Sequence, residues 1–173
     1  MMNYNQQFFT VSIFLVSFFA SSIFTGGTDH KSYKTDLSNI ESIKRNTLTA
    51  FSGDTVEVKS EGADLSYDVT RINAKAGSEL TIKYINSSDM PHNVVLVKSE
   101  SDINPVGIAA LQASSTDYVP ESMKDRMFAW TTLARPGETV FVTFTVPEPG
   151  TYPYICTYAG HFTMMQGRLI STE

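Results

Sequence analysis

One cysteine, Cys156, is all the thiol that 173 residues provide. No intramolecular disulfide can form, so the chain is not a disulfide-stapled scaffold. Basic clusters are missing as well. Thirteen Lys and Arg against 18 Asp and Glu leave a net charge of −5, without the Lys/Arg patch of a nucleic-acid surface. No nucleic-acid partner is expected. Internal repeats and Gly- or Pro-rich tracts are also absent.

Charge is lacking throughout the stretch FFTVSIFLVSFFASSIF, Phe8 to Phe24. A comfortable membrane span needs about 20 apolar residues, and this run falls short of that. It suits the core of a signal peptide, with Ala20-Ser21-Ser22 offering small residues for cleavage after Ser22. MMNYNQQ, ahead of it, has no Lys or Arg, so an uncleaved N-terminal anchor is the alternative. With no cysteine nearby, a lipid-modified cysteine is excluded. Both readings export the rest of the chain to the periplasm or another extracytoplasmic space.

What is present reads as an ordinary globular composition, 42% apolar and 18% charged. The expected organisation is an export segment over 1–25, a polar tether over 26–54 and one folded domain over 55–173. The tether is rich in Ser, Thr, Asn, Asp and Lys, with sparse Leu37, Ile40, Ile43 and Leu48. A short helix over Leu37 to Ile43 is the alternative there, and His30 reads as solvated.

From Thr55 the pattern is that of short strands. TVEVKS alternates; in ELTIKYIN, Leu80, Ile82 and Tyr84 share one face. A turn over Asn86 to Asp89 leads into HNVVLVK. Between Thr139 and Val146, residues Val140, Val142, Phe144 and Val146 point inward. Pro149-Gly150 suits the centre of a type II turn, which predicts an antiparallel hairpin with the next strand, Thr151 to Cys156. Gly167 to Ser171 is the last strand. The middle is irregular: a short helix over Pro105 to Gln112, a loop over Ser114 to Asp125, a strand over Met127 to Thr132. Seven or eight strands of this kind predict an all-β, two-sheet antiparallel sandwich.

The lone cysteine has company. The segment C-T-Y-A-G-H-F-T-M-M places Cys156, His161 and Met165 on one loop leaving a strand, and His92 stands in M-P-H-N-V-V-L at the start of another. Two imidazoles and a thiolate make a trigonal plane for copper, and a thioether supplies the weak axial contact of a blue-copper site. Such a set sits between the preferences of Cu(I) and Cu(II). Adjacent Met164 and Met165 cannot both point inward; Met165 is preferred as the axial donor, with Met164 its competitor. Gly160 allows the sharp turn that presents His161.

These residues, with A-K-A-G-S-E-L and V-T-F-T-V-P-E-P-G-T-Y, give the stretch from about Asp64 to Ser171 a resemblance to azurin-type cupredoxins, related also to auracyanin and plastocyanin. The resemblance implies an eight-stranded Greek-key β-sandwich with a short helical insertion. It implies one copper ion, cycling between Cu(I) and Cu(II), on His92, Cys156, His161 and Met165. It also implies single-electron transfer between redox proteins such as cytochromes, oxidases or reductases, and no enzymatic activity. Asn93 resembles the family asparagine that ties the two ligand loops together, here through Thr157. Pro91 stands where azurins have a glycine whose carbonyl is a second axial contact, so a weaker contact is expected. Ala159 replaces a family proline and Tyr158 a common Phe. Met90, Tyr158, Ala159, Phe162, Thr163 and Met164 are expected to form the apolar collar where partners dock.

Two other readings compete. The same ligands can store or deliver copper outside the cytoplasm. Cys156, His161 and Asn93 also have the residue types of a cysteine-protease triad, but there the nucleophile opens a helix and the His lies far away in sequence. Zinc on these ligands is disfavoured because Met is a poor zinc ligand.

Overall fold

The computed structural model describes residues 46–173. The expected export segment, His30 and the alternative helix over Leu37 to Ile43 lie outside the described residues.

Nine strands among the described residues form two sheets. The smaller sheet has the order β2-β4-β7, with β2 at Asp54–Gly62, β4 at Glu79–Ser88 and β7 at Thr139–Thr145. Alternation sets its buried face. Val56, Val58 and Ser60 of β2 pair with Ile82, Tyr84 and Asn86 of β4, and Leu80 pairs across to Phe144 of β7. The larger sheet has the order β1-β3-β9-β8-β5-β6. Its strands are β1 Thr47–Thr49, β3 Arg71–Lys75, β5 Val95–Val97, β6 Met127–Trp130, β8 Gly150–Ile155 and β9 Gln166–Thr172.

The main core lies between the sheets. Ile72, Leu80, Ile82, Tyr84, Leu96, Tyr154 and Leu169 are buried there together with Cys156 and Met165. A second core sits on the outer side of the larger sheet, where Ile103 and Val106 of helix α1 (Ile103–Ala110), together with Phe162 from the loop after β8, cover Val95, Val97 and Ile155. β5 is therefore buried on both faces, which explains its continuous apolar run.

Several expectations need correction. The sandwich is mixed rather than antiparallel, because β1–β3, β2–β4 and β3–β9 are parallel pairs. The hairpin expected across Pro149-Gly150 does not exist. β7 belongs to the smaller sheet and β8 to the larger, so the PEPG segment carries the chain from one layer to the other. Gly150 is not among the glycines with positive φ, so the type II turn that required one does not form. The true hairpin partner of β8 is β9.

The folded domain also begins before residue 55. β1 pairs with β3, the Ala50 amide donates to the Asn73 carbonyl at 2.7 Å, and Ala50 is buried in the core. That strand is too short to show a periodicity of its own. The turn expected at Asn86 starts later, because β4 continues through Ser88. HNVVLVK forms a strand only over Val95–Val97. The loop expected over Ser114 to Asp125 contains short 3-10 turns at Ser114–Thr116 and Glu121–Arg126.

Candidate metal centre

His92 lies on the segment entering β5, and an isolated bridge to Ala134 fixes its backbone. The His92 amide donates to the Ala134 carbonyl at 3.0 Å, and the Ala134 amide donates back at 2.8 Å. Its ring is fully buried.

Cys156 follows directly on β8, and the loop after it folds back on itself. The Met165 amide donates to the His161 carbonyl at 2.8 Å, and the Cys156 amide donates to the Met165 carbonyl at 3.0 Å. These bonds close the segment into a compact ring that ties Cys156, His161 and Met165 to one another. The reversal is made by Ala159 at φ 43° and Gly160 at φ 90°. Glycine takes that conformation freely. Ala159 takes it against its Cβ, and a proline ring would forbid it outright. Of the two adjacent methionines, Met165 is fully buried in the main core and Met164 is 70% exposed.

Three donor atoms converge at this end of the sandwich. Cys156 Sγ lies 3.5 Å from His92 Nδ1 and 3.7 Å from His161 Nδ1, and the two Nδ1 atoms are 3.1 Å apart. These sides give a nearly regular triangle whose equidistant point is about 2 Å from each atom, the length of a metal–imidazole bond. Burial pushes the Cys156 thiol up to about 12, against the pull of the Asn93 and Tyr158 backbones. Burial, then the neighbouring His161, lowers His92 to about 4, and burial lowers His161. Both rings are thus neutral at pH 7, with lone pairs available for a cation, and the soft sulfur beside them favours copper.

Around the triangle, Asn93 joins three segments. Its Oδ1 accepts from the Thr157 amide at 2.9 Å, and its Nδ2 donates to Thr157 Oγ1 at 2.9 Å and to the Asp117 carbonyl at 3.1 Å. Its own carbonyl accepts from the Tyr67 hydroxyl at 2.6 Å. Asp117 and Tyr118 have φ of 55° and 61°, two consecutive left-handed residues that cost energy unless the surroundings hold them. Tyr118 packs edge-on against Tyr158 with ring centroids 4.8 Å apart, and Tyr158 packs against His161 at 5.2 Å. The roles of Tyr67, Asp117 and Tyr118 have no counterpart in spacing or motif, since they reach the site only through the fold.

The collar differs from expectation at one residue. Phe162 is 6% exposed and points into the second core, where its ring sits over Gly107 of α1, a position that leaves no room for a Cβ. It is not a surface residue. Met90, Pro91 and Tyr158 are half-buried, while Ala159, Thr163 and Met164 are exposed. The helix adds two apolar side chains that the sequence did not single out. Leu111 lies beside Gly160, and Leu111 and Ile108 are 46% and 61% exposed.

Comparison with known proteins agrees with this geometry. Residues 54–171 match the family described as copper binding proteins, plastocyanin/azurin family. Auracyanin-A of Chloroflexus aurantiacus is 41% identical over 119 residues, covering 67% of this chain and 73% of that protein. Azurin iso-2 of Methylomonas sp. (strain J) is 31% identical over 119 residues, 64% of this chain and 92% of its own. The solved structure of auracyanin A, a "blue" copper protein of the same Chloroflexus species, superposes with a TM-score of 0.65 at 39% identity, over 69% of this chain and 98% of that one. A dithionite-reduced auracyanin from Roseiflexus castenholzii gives the same TM-score at 32% identity, over 70% and 99% of the two chains. The chain belongs to the plastocyanin/azurin family of copper-binding proteins, the blue copper electron carriers, and copper is the cofactor that its buried His-Cys-His group fits.

Proposed function

We propose that this chain carries single electrons between redox proteins outside the cytoplasm, and that His92, Cys156, His161 and Met165 would hold the copper ion that it uses. The observation that carries the reading is the triangle of Cys156 Sγ and two Nδ1 atoms with sides of 3.1 to 3.7 Å. Copper held there supplies a one-electron Cu(I)/Cu(II) couple. The chain's own part is to keep the ligands still. The backbone ring through His161, Met165 and Cys156 and the Asn93–Thr157 bonds fix them from both sides, so little has to reorganise when an electron arrives or leaves. A copper ion held by all four donors would keep no open position for a substrate.

Electrons enter and leave at the His161 end. Met90, Tyr158, Ala159 and Met164, widened by Leu111 and Ile108, give a docking face with apolar side chains. Apolar patches of this kind mark protein contacts. Redox proteins such as cytochromes, oxidases or reductases are the partners that this face fits. Residues 1–25 serve as signal peptide or membrane anchor, and the polar segment after them lets the domain reach between partners. No helix among the described residues is long and apolar enough to cross a membrane.

A visible and EPR spectrum of the copper-loaded protein tests the reading. An intense thiolate-to-copper band that vanishes in Cys156→Ser is expected; a colourless Cu(II) form overturns it. Rapid copper loss to a chelator, with slow electron exchange with a cytochrome, would point to copper storage or delivery instead.

A further inference from the structure

Asn86 stands on the core face of β4, in line with Leu80, Ile82 and Tyr84, and is fully buried. An amide in such a place is tolerated only when its bonds are made. Its Nδ2 donates to two carbonyls, Met90 at 2.8 Å and Ala134 at 2.9 Å. Its Oδ1 accepts from the Ser88 hydroxyl at 2.6 Å, the Ser88 amide at 3.0 Å and the Ser60 hydroxyl at 3.2 Å. The two carbonyls on one side and the Ser88 amide and hydroxyl on the other are enough to fix which way the amide faces, without the longer Ser60 bond. Its backbone is pinned too, donating to the Glu138 carbonyl and accepting from the Gly137 amide.

Both carbonyls held by Nδ2 bear on His92. Met90 is two residues ahead of it on the same chain, and Ala134 is its partner in the two-bond bridge. One side chain therefore grips the strand carrying the ligand and the strand opposite. The ring itself has less support. A metal-binding imidazole is ordinarily oriented through its second nitrogen, yet His92 Nε2 is buried and has no partner among the described residues. Where Nδ1 points is left to the backbone.

We propose that Asn86 is a positioning residue of the metal centre. Its amide clamps Met90 and Ala134 around His92 and so places His92 Nδ1 against Cys156 Sγ and His161 Nδ1. This rests on the copper reading above and adds an outer support to it. Ser88 braces the clamp from behind through its amide and hydroxyl on Asn86 Oδ1, and the Met90 carbonyl, 3.0 Å from the same hydroxyl, is the alternative acceptor for its single proton. Ser60 does not touch the His92 segment; it links Asn86 to the Tyr84 hydroxyl.

That difference supplies the test. In full-length, copper-loaded protein, Asn86→Ala shifts the thiolate-to-copper band and the copper hyperfine coupling, and lowers copper affinity about tenfold, as loss of an outer-shell support does. Ser60→Ala lowers the Tm and leaves spectrum and affinity at wild-type values. If Asn86→Ala does not fold, Ser88→Ala decides, with a smaller spectral shift expected. A colourless wild type sinks the copper reading and the clamp with it. A blue wild type sinks the clamp alone if Asn86→Ala, or Ser88→Ala in its place, keeps the wild-type spectrum. A Ser60→Ala variant with the same spectral shift also sinks it, because general loosening of the core would then be the cause.

Discussion

Asn93 and Thr157 stand 64 positions apart in sequence and hold each other by three bonds: Thr157 N–H to Asn93 Oδ1 and Asn93 Nδ2 to Thr157 Oγ1, both 2.9 Å, and Thr157 Oγ1–H to Asn93 Oδ1 at 3.1 Å. The first ligand loop is thereby tied to the second. Asn93→Ala leaves the buried Thr157 amide without a partner, and such a group costs about 1–3 kcal/mol, whereas the carbonyl of exposed Asp117 can turn to water. The variant is expected to lose about 1–3 kcal/mol of metal-free stability by denaturant unfolding. In chelator competition it releases copper faster than wild type. Equal stability and equal retention would show that the two loops are held by other means.

Gly107 and Phe162 make a second joint, between helix α1 and the ligand loop. A Cβ on Gly107 would lie 2.2 Å from the Phe162 ring at Cγ, close to the root of the side chain, where it cannot swing aside. Gly107→Ala should therefore lower stability by about 1–3 kcal/mol through overpacking, read as a fall in Tm. Phe162→Leu in the same background should recover part of it. No recovery would locate the damage elsewhere.

How much of this was legible in the chain depends on the kind of information. Alternation reports which face of a strand is buried, so Leu80, Ile82 and Tyr84 and the inward set of β7 were readable. It does not report which strand lies alongside. The passage from Phe144 through Pro149 into Tyr152 looked like a hairpin because nothing local distinguishes a turn within a sheet from a crossing between sheets. The His-Cys-His group was readable because two of its members, Cys156 and His161, lie on one short local loop and the third, His92, opens a strand-like segment of its own. Asn86 was not: next to Ser87, Ser88 and Asp89 it has the composition of a turn, and only pairing with Ser60 of β2 and backbone bonds to Gly137 and Glu138 turn it inward. Phe162 misled for a related reason. Its neighbours Thr163 and Met164 are exposed, and the glycine-floored slot that buries it belongs to a distant helix.

Met164 and Met165 separate the two parts that a methionine can play here. Met165 is fully buried beside Cys156 in the core, and Met164 is 70% exposed. With Met165 as the proposed axial donor, its replacement by Leu would exchange a weak sulfur ligand for hydrocarbon, which would cost the more highly charged Cu(II) state more than Cu(I). The reduction potential should rise, with a change in the visible spectrum. Met164→Ala should leave both unchanged and slow the reaction with a protein partner. Voltammetry on the two variants checks this, and a potential that moves with Met164 would reverse the assignment.

Protons should leave when copper arrives. In the metal-free protein the Cys156 thiol is pushed up to about 12 by burial, so at pH 7 it still holds its proton. His92 at about 4 and His161, also lowered, hold none. Since a metal binds the thiolate and the neutral imidazole, uptake at pH 7 to 8 should release about one proton, all of it from Cys156. Affinity should then rise about tenfold per pH unit across that range, and the slope should steepen in acid, near pH 4, where His92 begins to hold a proton that copper must displace. The imidazoles act on folding with the opposite partner. Their folded values lie below the unfolded one, so the unfolded chain takes up protons first. Their contribution to metal-free stability is therefore full above about pH 6.5 and is lost as pH falls toward 4. Calorimetric titration in two buffers of different ionisation heat counts the released protons. Cys156→Ser should release none, and a wild type that releases none at pH 7 would mean that the thiolate is already formed before the metal binds.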